Sequence, residues 1–490
     1  MIGGAQEGGS GAGGPARDRV PGSPWSAVTV GRMWATLPSL VTFLVTLTST
    51  MVAVDLAYQI RTGEEILTTG ALPHVDTFTF SVPGVPWLDQ QWGAQVLLAS
   101  GYRAGSWAGL VVLRAVLIGA TYGFVYLACR ARGAGPRTSC LLTFGGVVLG
   151  LRGLALRPQL FALPLVAATL WVLAGRRAHP RRLWWLPVFA VAMANLHGAF
   201  VLIPVIAALS VIEDLVERQP PWPTLAAGVL ATAATLFNPF GLGAWRYAYR
   251  IATNPVIRDT ISEWRPVSLT TIAGAAFAVS IVLLAVLVIR RGRPVDVPAL
   301  IWLAVFAALA VPASRGLVLW GLVAPTVAAR MLPPRKAPVR VLTRRWTIAV
   351  VTGTIVVALA VLPWWRDTSA GGMLSRAPQG LAAAVARDVP RGTHLLVWQP
   401  WGSWFEFATP EDPVFVDSRI ELYPAAVWHE NGDLWAARGA WSSLLARYDV
   451  GAIVTADEND TLAARLRGQP GWTLAYEDDE GSLFVRADLR

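Results

Sequence analysis

Residues 34–67 read WATLPSLVTFLVTLTSTMVAVDLAYQIRTGEEIL. The first twenty-one, Trp34–Val54, are apolar over a length that crosses about 30 Å of hydrocarbon. Arg32 precedes them, and no cleavage pattern follows, so the segment is predicted to be a signal anchor and not a removable signal peptide. It ends on a carboxylate, Asp55. Beyond it, Leu56, Ile60, Gly63 and Leu67 recur at helical spacing, leaving Asp55, Gln59 and Thr62 on another face. The reading is a membrane span, an acidic residue where it ends, and a helix lying in the interface.

The pattern repeats along the chain. Further spans are predicted near Trp107–Cys129, Ser139–Leu151, Leu160–Ala174, Leu183–Ala194, Phe200–Ile212, Trp222–Leu236, Ile272–Ile289, Val297–Val311, Leu317–Ala329 and Trp346–Pro363. The composition agrees: 54% of residues are hydrophobic and 15% charged, against about a quarter charged in soluble proteins. The fold class expected is a polytopic α-helical membrane protein of about eleven transmembrane helices with a C-terminal extracytoplasmic α/β domain. The net charge of +10 does not imply a nucleic-acid partner. Its arginines sit in short loops: Arg130, Arg132 and Arg137; Arg176, Arg177, Arg181 and Arg182; Arg218; Arg290, Arg291 and Arg293; and Arg330 through Arg345. These fall on alternate sides, which places the N-terminus in the cytoplasm and the segment after Pro363 outside. Lys336 is the only lysine, and Ala, Gly and Val are in excess, which fits a bacterial chain in the cell membrane. With only Cys129 and Cys140, a disulfide scaffold is not expected.

Three regions follow from this pattern. Residues 1–33 are rich in Gly, Ala and Pro and are predicted to be a disordered cytoplasmic N-terminus. Residues 34–365 form the transmembrane part, with long outer loops at 55–106 and 238–269; loops of this length are usually functional. Residues 366–490 are acidic overall. Leu395–Trp398, Val414–Val416, Ala452–Thr455, Thr473–Tyr476 and Ser482–Val485 read as strands, and Gly380–Arg387, Trp441–Tyr448 and Thr461–Arg467 as helices.

Chemistry concentrates in the outer loops. Asp55 serves either as a general base or as a helix N-cap. His74 and Asp76 form a His-x-Asp pair that could bind a metal or an acceptor, and Asp76 equally suits a turn. Leu88–Leu98 reads as a second interfacial helix, with Trp87 and Trp92 in the aromatic belt and Gln91 beside them. Arg157 lies at the outer end of a span, against the positive-inside trend, with Arg152 nearby. A guanidinium there can bind a lipid-carrier phosphate or snorkel to headgroups. Asn195-Leu196-His197-Gly198 offers either substrate contacts or a tight turn. Glu263-Trp264-Arg265 sets a carboxylate, an aromatic platform and a cation together. No Walker loop, dinucleotide-binding glycine fingerprint or zinc-ligand cluster is present.

The order of these motifs resembles the GT-C class of membrane glycosyltransferases, and more narrowly a group of uncharacterised bacterial membrane proteins of that type. The match runs through Asp55, Thr62-Gly63-Glu64, Asp76-Thr77-Phe78, Gln91-Trp92, Arg157-Pro158-Gln159, Asn195-Leu196-His197-Gly198, Asn238-Pro239 and Glu263-Trp264. It continues in the distal segment with Trp401-Gly402-Ser403, Val416-Asp417-Ser418-Arg419 and Glu421-Leu422-Tyr423. The resemblance implies transfer of a sugar from a polyprenyl-phosphate donor to an extracytoplasmic glycan, lipid or protein acceptor, with Asp55 catalytic. Substrate binding is expected from Arg61, His74, Asp76, Gln91, Trp92, Arg157, Asn195, His197, Glu263 and Trp264. A divalent metal is compatible with this set, but no cofactor is called for. One departure stands out: Ala57-Tyr58-Gln59 occupies positions where aromatic and His residues follow the acidic residue in similar sequences. The other readings are a transporter or flippase of lipid-linked glycans, for which no internal repeat is visible, and a non-catalytic membrane scaffold.

Overall fold

A computed structural model describes residues 29–290, 295–333, 341–457 and 460–489. Residues 1–28, which carry most of the expected N-terminal tail, lie outside the described residues, as do Arg291, Arg293, Arg335, Lys336 and Arg340.

A helix stands at each place where the sequence pattern marks a span. They are α1 (Val30–Leu47), α3 (Trp92–Ala131), α4 (Pro136–Gly150), α5 (Pro158–Ala174), α6 (Trp185–Leu196), α7 (Leu202–Val216) and α8 (Trp222–Ala234). After the second long loop come α11 (Ile272–Arg290), α12 (Val297–Ala310), α13 (Leu317–Met331) and α14 (Arg344–Ala360). Between them, α2 (Leu56–Thr69), α9 (Leu242–Thr253) and α10 (Pro255–Thr260) lie in the two long loops. Among the described residues four helical segments are long and apolar enough to cross a membrane: α1, α3, Gly198–Val216 and α11. Helices α5, α8 and α12 are apolar but shorter, so the count of eleven crossings rests on the sequence pattern.

Helix α3 is the hub, packing against α1, α2, α4, α5 and α6. Its 40 residues would run about 60 Å if straight, twice the hydrocarbon thickness. A break resolves this: Gly105 and Ser106 leave helical geometry, with Ser106 at φ 51°. Residues 92–104 therefore form a separate helical segment packed against α2, and the stretch read from the sequence as a span begins after the break, at Trp107. The stretch read from the sequence as a second interfacial helix starts at Trp92, not Leu88, and runs on into this span.

Helix α2 also differs from expectation. It does not lie exposed in an interface: Leu56, Ala57, Tyr58, Gln59, Ile60, Thr62, Gly63 and Ile66 are all buried. The cause is visible at Gly63, where a Cβ would stand 2.1 Å from the Gln95 carbonyl oxygen. The missing side chain lets α2 cross α3 in close contact. On its other side α2 meets α17 (Gln399–Ala408), and the Tyr58 amide donates to Ser403 Oγ at 2.9 Å.

The C-terminal part adds α15 (Ala370–Met373), α16 (Gln379–Asp388), α18 (Ala425–Trp435), α19 (Trp441–Arg447) and α20 (Asp460–Arg467). Its sheet has the order β3 (His394–Val397), β4 (Val450–Ala456), β6 (Gly481–Arg486), β5 (Trp472–Glu477). The β3–β4 pair is parallel and the other two are antiparallel. Strand β4 is buried along its whole length, as the unbroken apolar run Ala452–Val454 requires.

This part is stitched to the first long loop. Strand β1 (Met51–Val52) pairs in parallel with β2 (Leu374–Ser375). Thr79 bridges to Val414, which bridges in turn to Leu395, so the loop extends the sheet past its β3 edge. Phe80 stacks on His394 with centroids 4.2 Å apart. Tyr58, Phe78 and Trp87 share a hydrophobic cluster with Phe415, Tyr423 and Phe484. Trp87, read as a belt residue, is thus buried here.

Candidate functional site

Three residues read from distant parts of the sequence meet at the start of α5. The residue before a proline is forced into extended geometry, and Arg157, before Pro158, has φ −139° and ψ 164°. That turns its side chain away from the helix. Its Nε lies 2.8 Å from Asp55 Oδ2, and its Nη1 lies 2.9 Å from Glu263 Oε1. Asp55 stands at the N-cap position of α2 but makes no side-chain cap bond. Its carboxylate is turned to Arg157 instead of to the helix amides.

Beside this triad opens a cavity of about 300 Å³. Arg152, Arg157, Arg315, Gln159, Ser314 and Glu263 give it its polar lining, and Leu149, Leu317 and Val318 its apolar wall. Arg152 sits on a single 3-10 turn, Leu151–Gly153. That turn can lie against α13 because a Cβ on Gly153 would come within 2.7 Å of Val318. Arg315 stacks over Trp264 at 4.4 Å, and Ser314 Oγ donates to the Glu263 carbonyl at 3.1 Å. The loop after α12 therefore holds the Glu263–Trp264 turn in place. Sequence reasoning singled out Arg157 as an outer arginine with a purpose. The same signal marked Arg315 and was not followed.

The remaining expected residues fall into separate groups. Gln91 accepts from Gln59 Nε2 at 3.2 Å, and Gln59 also donates to the Tyr58 hydroxyl at 2.5 Å. Trp92 Nε1 donates to Asn195 Oδ1 at 3.1 Å, while Asn195 Nδ2 donates to the carbonyls of Val191 and Phe237. His197 Nδ1 accepts from the Ala199 amide at 3.1 Å. Asn195 and His197 thus tie a turn together. His74 is exposed, and its carbonyl accepts from the Trp87 amide.

Arg61 and Asp76 belong to a joint with the C-terminal part. Arg61 Nη1 donates to the Glu406 carbonyl at 2.8 Å and its guanidinium covers Phe78 at 4.2 Å. Asp76 is buried; it accepts from the Phe78 amide at 3.1 Å, and its Oδ1 lies 2.7 Å from Arg419 Nη2. Arg419 also pairs with Asp417 at 2.5 Å, and Trp87 and Phe78 surround it at 4.5 and 4.9 Å. Burial, with Asp417's charge beside it, pushes the Glu406 carboxyl well above the usual range. A neutral Glu406 explains how three acids share one arginine.

Between joint and triad lies a band of phenols and acids. Tyr247 OH donates to Glu421 Oε1 at 2.8 Å. Burial, followed by the charges of Asp55 and Glu421, raises the Tyr58 phenol well above its ordinary value. Burial likewise raises Glu421, and it lifts Asp89 to about 7. Sequence reasoning assigned no role to Tyr247 or Asp89. Among the described residues no group of three or more His, Cys, Asp or Glu side chains is arranged to hold a metal ion.

No protein-family model matches the chain, and no curated protein matches it in sequence. Solved structures do. The oligosaccharyltransferase of Archaeoglobus fulgidus, tethered to an acceptor peptide containing an NVT sequon, superposes with a TM-score of 0.54 at 13% identity. It covers 94% of this chain and 75% of its own. The arabinofuranosyltransferase AftD from Mycobacteria also gives 0.54, at 17% identity over 94% of this chain; the chain spans 42% of that much longer protein. ArnT from Cupriavidus metallidurans bound to undecaprenyl phosphate gives 0.51 at 14% identity, covering 94% of this chain and 98% of its own. All three are GT-C glycosyltransferases. The chain has the GT-C fold, that of a helical membrane protein.

Proposed function

We propose that the chain is a GT-C glycosyltransferase of the bacterial cell membrane, moving a sugar from a polyprenyl-phosphate donor to an acceptor outside the cytoplasm. In this reading all eleven apolar helices cross, with the N-terminus cytoplasmic and the C-terminal part extracytoplasmic. One observation carries the reading: within this fold, the Asp55 carboxylate and the Arg157 guanidinium meet at the rim of an arginine-lined cavity. A base and an anion-binding group side by side are what transfer from a lipid phosphate requires. The ArnT structure with undecaprenyl phosphate supports the same class of donor.

The chemistry follows from the geometry. The donor's phosphate enters the cavity and takes bidentate hydrogen bonds from guanidinium forks, which suit phosphate oxygens. It competes with Asp55 for Arg157. The carboxylate is released from its pair and accepts the proton of the acceptor hydroxyl. The acceptor oxygen bonds to the sugar's anomeric carbon as the bond from that carbon to the phosphate oxygen breaks. The departing lipid phosphate keeps the electron pair, and the arginines hold its charge. Tyr247 and Glu421 lie near Tyr58 and are proposed to meet the acceptor. His74, Asp76, Arg61, Gln91, Trp92, Asn195 and His197 act by shaping the outer layer.

The test is purified protein in lipid nanodiscs, offered a panel of polyprenyl-phosphate sugars with a membrane-extract acceptor. Sugar transfer by wild type that disappears in Asp55→Asn supports the reading. Transfer undiminished in Asp55→Asn removes the base, and no protection of Arg157 from arginine-modifying reagents by any polyprenyl phosphate removes the donor.

A further inference from the structure

Helix α2 starts directly after Asp55, and the first turn of a helix leaves amides with no partner inside the helix. Here the Leu56 and Ala57 amides donate to the Ala53 carbonyl at 3.0 and 3.4 Å. The next amide, that of Tyr58, is one that an N-cap side chain ordinarily takes. Asp55 stands in the cap position and does not take it. Its φ of −110° and ψ of −13° are not the extended geometry usual for a capping residue. Its carboxylate lies 2.8 Å from Arg157 Nε instead. The Tyr58 amide donates to Ser403 Oγ at 2.9 Å.

Ser403 belongs to the C-terminal part, on α17, and is fully buried. Its hydroxyl has a second partner, donating to the Ala53 carbonyl at 3.5 Å. One side chain therefore holds the backbone at Ala53 and at Tyr58, on either side of Asp55. Two features fix its place. A Cβ on Gly402 would stand 2.7 Å from the Val416 carbonyl oxygen, so the glycine lets α17 lie close against that segment. Strand β1 pairs with β2 just before Ala53, and the Ala53 amide donates to the Ser375 carbonyl at 3.1 Å. The backbone around Asp55 is thus anchored to the C-terminal part, while its side chain is left to Arg157.

We infer that Ser403 is a positioning residue for Asp55: it caps α2 in place of that aspartate and so keeps the carboxylate on Arg157, free to take the acceptor's proton. The inference rests on the glycosyltransferase reading and adds to its site a member from the C-terminal part. The physical argument is a competition. An aspartate at a helix start and the amides of the first turn are ordinary partners, and a buried amide without an acceptor is unfavourable. Once the Ser403 hydroxyl is removed, the Asp55 carboxylate is the group that the chain places at the cap position to take the Tyr58 amide. A carboxylate drawn onto the helix amides is no longer held against Arg157. Ser403 touches no substrate in this scheme and acts through Asp55 alone. The Trp401-Gly402-Ser403 motif, to which the proposed chemistry assigns no part, thereby gains one.

The test compares Ser403→Ala and Ser403→Thr, each alone and combined with Asp55→Asn, in the full chain in lipid nanodiscs. Ser403→Ala is expected to lower kcat for sugar transfer by about 10²-fold, the effect of a misplaced catalytic group, with KM for the donor little changed. Ser403→Thr keeps the hydroxyl and should restore most of the rate. In the Asp55→Asn background Ser403→Ala should lower the rate no further, since no carboxylate remains to be positioned. A second readout needs no transfer: the rate at which an arginine-modifying reagent labels Arg157, followed by peptide mass spectrometry. Ser403→Ala should raise it to the level of Asp55→Asn, because in both variants the carboxylate has left the guanidinium. Labelling as slow as in wild type overturns the inference and leaves the glycosyltransferase reading standing. So does a loss of transfer that only follows the loss of folded protein, or one that multiplies with that of Asp55→Asn. Faster labelling in a protein whose wild type transfers sugar from no donor supports the capping by Ser403 and overturns the glycosyltransferase reading.

Discussion

Arginines and carboxylates meet at both ends of α5, to opposite purpose. At its start, Arg157 joins Asp55 and Glu263 beside an open cavity that two further arginines line. About 25 Å away, past the helix's 17 residues, Arg176 and Arg177 enter a closed network. There Glu213 meets Arg132, Arg176 and Arg330, and Asp214 meets Arg176 and Arg177. Glu217 and Asp296 complete it around Arg330. Glu213 and Asp214 side chains are 1% and 3% exposed, and Thr224 adds a hydroxyl at 2.8 Å to Asp214. The closed network joins the loops after α3 and α5 to α7, α12 and α13, with charges balanced among themselves. Its counterpart at the other end keeps guanidinium capacity facing a void. The closed network is saturated by the chain; on the proposed function, the arginines of the open end are kept for a ligand.

The sharpest break in the comparison is Asp55→Asn. If the open end is catalytic, transfer should fall by about 10²–10⁴-fold, the range for losing a general base, with the thermal midpoint unchanged. A lowered midpoint with residual activity in proportion to folded protein would move Asp55 to the structural side. The mirror experiment is Glu213→Ala at the closed end. Deleting the shared acid leaves three arginines crowded in a buried place, and a loss of about 3–5 kcal/mol of stability is expected. The surviving folded fraction should bind donor as wild type does. A donor defect in that fraction would mean that the two ends are coupled.

Much of this was legible in the sequence. Apolar runs located the helices because a span must hide its backbone polar groups within itself, and only length and apolarity are needed to see it. Asp55, Arg157 and Glu263 were each visible singly, as charges where charge is costly. Their meeting was not, since three loops some hundred residues apart converge only through packing. The interfacial reading of α2 failed for a similar reason. Amphipathic periodicity says that one face is buried but cannot reveal that Gly63 admits α3 while Ser403 covers the opposite side. Trp87 misled in the same way: an aromatic residue near a span reads as belt, and only the fold reveals Arg419 beneath it. Helices α17 and α18 passed unnoticed because Trp, Gly and Pro obscure their periodicity.

A milder probe of the open end is Arg157→Ala, which should weaken donor affinity by about 2–5 kcal/mol if the guanidinium–phosphate pair is desolvated. Arg157→Lys should restore part of the loss, because a point charge remains but the planar fork does not. The same two variants should leave stability nearly untouched, since the Asp55 and Glu263 side chains they release are 24% and 41% exposed and can be solvated. Substitution of Arg176 at the closed end should do the reverse.

The subtlest distinction concerns a single buried acid between the two kinds of charge. Asp89 is 2% exposed and has no arginine at contact distance among the described residues; Gln95 Nε2 donates to its Oδ1 at 2.8 Å. Burial lifts its pKa from 3.8 to about 7, against the smaller opposing pull of that hydrogen bond. Because the folded form keeps its proton where the unfolded form has lost it, the folded state binds more protons across this interval. Stability from this group is therefore full below about pH 4, declines as pH rises, and is lost once pH passes about 7. Asp89→Asn mimics the neutral form at every pH. Thermal midpoints of wild type and Asp89→Asn should thus lie closest near pH 4 and diverge as pH rises to about 7, with the variant the more stable. If the difference between the two midpoints stays constant from about pH 4 to 7, Asp89 is ionised throughout in the folded protein and is not held as a neutral buried acid.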